Sequence, residues 1–200
     1  MGIQCVGGEL KGTEAEMFRI VETTWGSWKE MYPSTLVQST DTGYNRRYGV
    51  YPYDDYKTNH NSLYFPVSHR DNRLEEKVRI LGLLSEGSST AFPIRDFPDT
   101  TQVLNIELGG QAFVIAGNRE KNFAVAFSRE MHDSTLTFSA VNDTLPVIME
   151  DEGGTRWDIF GRAVSGPVTG EELSLATSYI AYWFSWAAFY PEAEIHRRGG

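Results

Sequence analysis

The spacing of apolar residues changes along the chain. Residues 78–84, Val-Arg-Ile-Leu-Gly-Leu-Leu, are almost continuously apolar and predict a buried strand. After the Glu86-Gly87-Ser88 turn, residues 90–94 predict its return. Leu108-Gly109-Gly110 is a second turn, and 112–116 with 123–127 form a hairpin around Asn118-Arg119-Glu120-Lys121. His132-Asp133 reads as a hairpin turn, Leu136-Thr137-Phe138 alternates, and 146–149 is another short strand. Gly153-Gly154 then turns the chain into Trp157 and Ile159. Two stretches have helical spacing instead. Trp25, Trp28 and Tyr32 stand at i, i+3 and i+7, and Trp183, Trp186 and Tyr190 repeat that stripe. Thr23 or Thr24 can cap the first helix, and Pro33 and Pro191 stop each one just after the tyrosine. Both stripes are read as structural, core-facing anchors. The pattern predicts a mainly β or α+β fold: a short-stranded antiparallel β domain with two short Trp-bearing helices.

The likeness of the two helical stretches extends beyond them. A displacement of 158 residues lays Val6 on Val164, Gly8 on Gly166 and Gly12 on Gly170. It also lays Trp25 on Trp183, Ser27 on Ser185, Trp28 on Trp186, Tyr32 on Tyr190 and Pro33 on Pro191. Leu10 with Val168, Met17 with Leu175 and Val37 with Ile195 are conservative partners in the same ungapped register. Each matched unit starts with a glycine-punctuated extended piece, 5–12 or 163–170, in which glycines four apart permit a tight turn. The expected organisation is one full repeat plus the tail of a preceding one. Residues 1–37 are that tail, 38–73 a Tyr-rich loop, and 74–200 a β-rich repeat body ending in the matching glycine-rich strand and Trp helix. The body of the earlier copy is expected ahead of Met1.

The Tyr-rich loop changes the picture from scaffold to candidate site. Tyr44, Tyr48, Tyr51, Tyr53, Tyr56 and Tyr64 fall within it, interleaved with Asp41, Arg46, Arg47, Asp54 and Asp55, while Gly43, Gly49 and Pro52 break any long helix. A loop this long is usually functional or packed by its own side chains. Tyr44, Tyr48, Tyr51, Tyr53, Asp54 and Tyr56 are the candidate ligand-binding residues, because a flat apolar ring with a polar tip suits a small molecule, a glycan or a peptide. The loop closes on Phe65-Pro66-Val67-Ser68-His69-Arg70-Asp71. His69, Arg70 and Asp71 are the candidate catalytic residues of an alternative enzymatic reading, hydrolytic or redox, with Tyr51 or Tyr56. Adjacent residues do not by themselves assemble a relay, since triads are drawn from separated segments. A third reading is metal binding by His60, His69, Asp54 and Asp55, although their spacing is not diagnostic.

Composition narrows the classes. The chain has 200 residues, 27 acidic against 18 basic, and a net charge of −9 without a Lys/Arg run, which argues against a nucleic-acid partner. The longest apolar stretch, 179–190, is too short for a bilayer span, which needs roughly 20 residues. Residues 1–11 lack the pattern of a signal peptide, and Val6 stands where myristoylation wants Ser or Thr. Cys5, the single cysteine, makes no internal disulfide. No phosphate loop or His-Glu-x-x-His occurs, so no cofactor is predicted. Asn142-Asp143-Thr144 fits the glycosylation sequon, and His196 precedes an Arg197-Arg198-Gly199-Gly200 tail.

These segments together resemble the C-terminal part of the DUF3179 family, a group without an established function. The resemblance is carried by Thr23-Thr24-Trp25 to Trp28, Tyr32-Pro33, Asp41-Thr42-Gly43-Tyr44 and Tyr48 to Tyr56. Phe65 to Asp71, Val78 to Leu83, Ala91-Phe92-Pro93-Ile94 and the closing unit from Trp157 to Pro191 add to it. It implies a two-repeat arrangement and, for the full-length protein, export from the cytoplasm. It also implies a Cys-Pro-x-Cys-like hairpin in the first repeat. The corresponding place here, 115–127, reads Ala116-Gly117-Asn118-Arg119-Glu120-Lys121-Asn122 and has no cysteine. The expected function is therefore that of a non-catalytic or half-site domain. It would pack against a sister repeat or form a homo-oligomer, and it would bind a ligand through its tyrosines.

Overall fold

The computed structural model describes residues 4–14, 16, 18–142 and 145–197. Met17, the Asp143-Thr144 part of the sequon and the Arg198-Gly199-Gly200 end lie outside the described residues. The elements are α1 (Trp25–Met31), β1 (Arg79–Ser85), β2 (Ser88–Pro93), a single 3-10 turn (Ile94–Asp96), β3 (Gln102–Leu108), β4 (Gln111–Asn118), β5 (Phe123–Ser128), β6 (Glu130–Met131), β7 (Ser134–Thr135), β8 (Phe138–Ala140), β9 (Val147–Asp151), β10 (Arg156–Asp158), β11 (Ala163–Ser165), β12 (Thr177–Tyr182), α2 (Trp183–Phe189) and β13 (Glu194–Ile195). The fold is thus mostly β with two short helices, as the apolar spacing predicts. No helix among the described residues is long and apolar enough to cross a membrane.

The strands form small sheets ordered β12-β1-β2-β13, β3-β4-β5 and β11-β10-β9-β8, with β6–β7 as a separate ribbon. The alternation of side chains along central strands explains how they stack. In β1, Ile80 faces α2, while Leu81 and Leu83 face the three-stranded sheet. In β4 and β5, Phe113, Ile115, Ala124 and Ala126 pack toward β1–β2. Val114, Ala116, Phe123, Val125 and Phe127 pack instead toward β9 and β10. Strands buried on both faces have little room for polar residues, which is why these runs are continuously apolar.

β3 and β12 are strands that the apolar pattern does not single out. β3, Gln-Val-Leu-Asn-Ile-Glu-Leu, is only half-buried and carries polar residues on its open face. β12 runs straight into α2 with no intervening turn, so its apolar residues merge with the helix. β13 is two residues long and pairs parallel to β2, an arrangement no local signal announces.

Candidate functional site

The closing unit holds two of the three fully buried tryptophans among the described residues. Trp183 and Trp186 are 0% and 1% exposed. Trp186 lies between Tyr179 and Tyr190, with ring centroids 5.0 and 4.5 Å away. Its other neighbour is Gly82 of β1, where a Cβ would fall 2.1 Å from the indole. Burial, and then a hydrogen bond with Tyr190, pushes the Tyr179 phenol well above its usual range. Trp183 Nε1 donates to the Asp71 carbonyl at 2.9 Å. Its backbone N–H donates to Val78 O, and that of Phe184 to Glu76 O, both at 2.8 Å. The unit is therefore sewn to β1 and to the segment before it.

Residues 4–14 and 25–32 share the local geometry of 162–172 and 183–190. Gln4 bridges Glu14 antiparallel, as Arg162 bridges Glu172. Cys5 N–H donates to Thr13 O and Gly12 N–H to Cys5 O; Ala163 N–H donates to Glu171 O and Gly170 N–H to Ala163 O. Gly8 and Gly12 have φ of 73° and 86°, Gly166 and Gly170 of 102° and 96°, the left-handed region where glycine has no steric cost. Both helices have seven residues. Tyr32 ends α1 at φ −133°, ψ 72°, and Tyr190 ends α2 at φ −130°, ψ 71°. Each tyrosine N–H donates to the carbonyl of the tryptophan four residues earlier. Trp28 meets Tyr32 at 4.8 Å and 45°, much as Trp186 meets Tyr190 at 4.5 Å and 43°.

The surroundings of the two units differ. Trp28 and Tyr32 pack on Phe160, at 6.5 and 6.4 Å, beside the core formed with β9 and β10. Burial, followed by the charge of Asp158, raises the Tyr32 phenol. Trp28 Nε1 donates to Thr35 Oγ1, whereas Trp186 Nε1 is buried without a hydrogen-bond partner among the described residues. Trp25 departs from the core-facing stripe and is 51% exposed, where Trp183 is fully buried. Phe18 and Ile20 are 70% and 79% exposed, and Val6, Leu10, Leu36 and Val37 are also exposed. Among the described residues, no backbone N–H or C=O of 18–23 enters a hydrogen bond with other backbone.

The Tyr-rich loop, 38–73, contains neither helix nor strand, and part of it folds on itself. Tyr56 and Tyr64 stack at 4.2 Å and 8°, Tyr53 meets Tyr64 at 6.0 Å, and Tyr51 meets Tyr53 at 5.6 Å. The anchor is Lys77, only 3% exposed, which the sequence reading passed over. Its Nζ donates to Asn59 O and Ser62 O, both at 2.6 Å, and lies 3.5 Å from the centre of the Tyr56 ring. Two carbonyls and an aromatic face solvate this buried ammonium. Tyr44 and Tyr48 stand apart from the cluster; Tyr48 Oη pairs with Thr42 Oγ1 at 2.6 Å, and Arg46 lies over Tyr44.

A cleft of about 790 Å³ opens beside the loop, lined by Glu22, Trp25, Lys57, Arg79, Asn122 and Tyr182 among others. Arg79 donates to Asn122 Oδ1 and Glu22 Oε2, each at 2.6 Å. Lys57 Nζ lies 4.1 Å from the Tyr51 ring centre. Burial raises the Tyr182 phenol, with the nearby Tyr51 adding to the effect.

His69, Arg70 and Asp71 do not converge on this cleft. Asp71 is held by Arg73, whose Nε and Nη2 lie 2.8 and 2.6 Å from its carboxylate. These hydrogen bonds keep the Asp71 carboxyl below its usual range. Arg73 also donates to Ala193 O and lies over Trp183, so the pair fastens the loop to the closing unit. Arg70 lies 3.6 Å from Glu76, and His69 is exposed. His60 Nδ1 accepts from the Lys77 N–H, and Asp55 accepts from Asn59 Nδ2, while Asp54 is exposed at φ 47°. Among the described residues, no group of three or more His, Cys, Asp or Glu side chains is placed to hold a metal ion. In the cysteine-free hairpin between β4 and β5, Asn118 is buried. Its side chain donates to Asp99 O and accepts the Lys121 N–H, so its role there is structural.

No curated protein and no solved structure matches the chain. A family model described as a protein of unknown function (DUF3179) matches residues 1–193. That match spans the first Trp unit, the tyrosine loop, the β body and nearly all of the closing unit, and the chain belongs to the DUF3179 family.

Proposed function

We propose that this chain is a non-catalytic binding domain in which residues 4–37 are a second copy of the closing unit, built to pack against a sister β body. One observation carries the reading. The two units share the backbone bonds of their turn and C-terminal helix cap, yet only 162–195 has its tryptophans and strand edge covered by a sheet. An extended segment with an unpaired backbone and exposed Phe18, Ile20 and Trp25 is a template for association. In sedimentation velocity the isolated chain is expected to self-associate as concentration rises. An Ile20→Lys variant should shift it to monomer without changing its far-UV circular dichroism. A wild-type chain that stays a clean monomer up to high micromolar concentration would rule the reading out.

The tyrosine loop is the ligand surface in this account. Its support is the buried Lys77, which holds the aromatic cluster in one arrangement beside a cleft that offers Lys57, Arg79, Glu22 and Asn122. Flat rings next to hydrogen-bonding groups fit a saccharide. On a glycan array, wild-type binding should be lost in a Tyr51→Ala/Tyr53→Ala variant whose unfolding midpoint is unchanged. Absence of binding by the wild-type chain, or equal binding by the variant, would remove this assignment.

A further inference from the structure

The closing unit also specifies what should cover residues 4–37 and in which register. β12 pairs antiparallel with β1 through Tyr182–Arg79, Ala181–Ile80, Ile180–Leu81, Tyr179–Gly82, Ser178–Leu83 and Thr177–Leu84. The pairing continues past the strand. The amides of Trp183 and Phe184 donate to Val78 O and Glu76 O, and the indole of Trp183 donates to Asp71 O. One incoming strand and its lead-in thus satisfy β12, the first two helix amides and the first tryptophan. Displaced by 158 residues, the same groups are the backbone of 19–24, the amides of Trp25 and Gly26, and the indole of Trp25. None of these amides from 19 to 23, nor those of Trp25 and Gly26, has a backbone acceptor among the described residues. Trp25 and Ile20 are exposed.

We propose that residues 19–26 take an antiparallel strand from a second β body, in the register in which β12 and the start of α2 take β1. This rests on the reading of 4–37 as a copy of the closing unit, and it names the partner element: a strand with its lead-in, built like residues 76–84. The residue equivalent to Arg79 lies opposite Thr24, and the one equivalent to Leu83 lies opposite Ile20. Carbonyls equivalent to those of Val78 and Glu76 receive the Trp25 and Gly26 amides. A carbonyl equivalent to that of Asp71 receives the Trp25 indole. The occupant is recognised by main-chain hydrogen bonds, with apolar contacts to Ile20 and Trp25 adding to them.

The probe is a peptide covering residues 71–95 of this chain, with a cysteine added at each end and the two oxidised to a disulfide, titrated into the full chain and followed by amide hydrogen exchange. Saturable binding should slow exchange at the amides of 19, 21, 23, 25 and 26 at least tenfold and leave the β4–β5 hairpin unchanged. Trp25→Ala in the chain should weaken binding at least tenfold, and Val21→Pro, which removes an amide that faces the incoming strand, should abolish the added protection. Binding that protects 177–184 instead, by strand exchange, or any other segment overturns the register while leaving the half-site reading in place. Failure to bind at millimolar peptide overturns the inference. If the chain is also a monomer in sedimentation, the half-site reading falls with it.

Discussion

Gly82→Ala is expected to destabilise the fold by about 3 kcal/mol, the upper end of what one added methyl group costs in a packed core. The new Cβ would fall 2.1–2.4 Å from three atoms of the Trp186 ring. Neither side can yield easily. The indole is buried between Tyr179 and Tyr190, and the Gly82 backbone is paired on both sides, to Tyr179 and to Ala91. For a chain of this size the melting temperature should fall by about 6–12 °C. Urea unfolding measures the loss directly. The double variant Gly82→Ala/Trp186→Leu should lose clearly less than the sum of the two single changes, because removing the indole removes the clash. A single Gly82→Ala variant as stable as wild type would mean that Trp186 does not lie against β1.

Much of this arrangement is legible in the amino-acid sequence, for physical reasons that differ between elements. β1, β4 and β5 are buried on both faces, so their interiors are apolar runs, and β2 joins them from Ala91. The tryptophan stripes are legible because Pro33 and Pro191 fix where each helix must end. The 38–73 loop is legible as irregular because it has no period. The anchor of that loop is not, since Lys77 reaches carbonyls 15 and 18 residues away, and a lone lysine ahead of a strand carries no local mark. The Asp71–Arg73 clamp is hidden in the same way. Local spacing offers Asp71 to His69 and to Arg73 alike, each two residues away; the fold gives it to Arg73, which also reaches Ala193 across the chain. The exposure of Trp25 is the most informative departure. Its spacing matches that of Trp183, but Trp183 is covered by β1 and the segment before it and Trp25 is not.

The difference in covering predicts a contrast of several orders of magnitude within one molecule. β12 is an edge strand, so the alternate amides that face β1, those of 177, 179 and 181, are paired and should exchange only with large-scale unfolding. Amides of 18–23 have no backbone acceptor among the described residues and should exchange close to the rate of an unstructured chain. The turn and cap amides that the two units share, Cys5, Gly12 and Tyr32 against Ala163, Gly170 and Tyr190, are bonded alike and should be protected in both. Residue-resolved hydrogen exchange on the full chain at low concentration is therefore the most direct test of the central claim, that residues 4–37 are an uncovered copy of the closing unit. Protection is expected at the shared turn and cap amides of both units and at the β1-facing amides of β12, with none at 18–23. Protection of 18–23 equal to that of β12, or an unprotected Cys5, Gly12 and Tyr32, would contradict it.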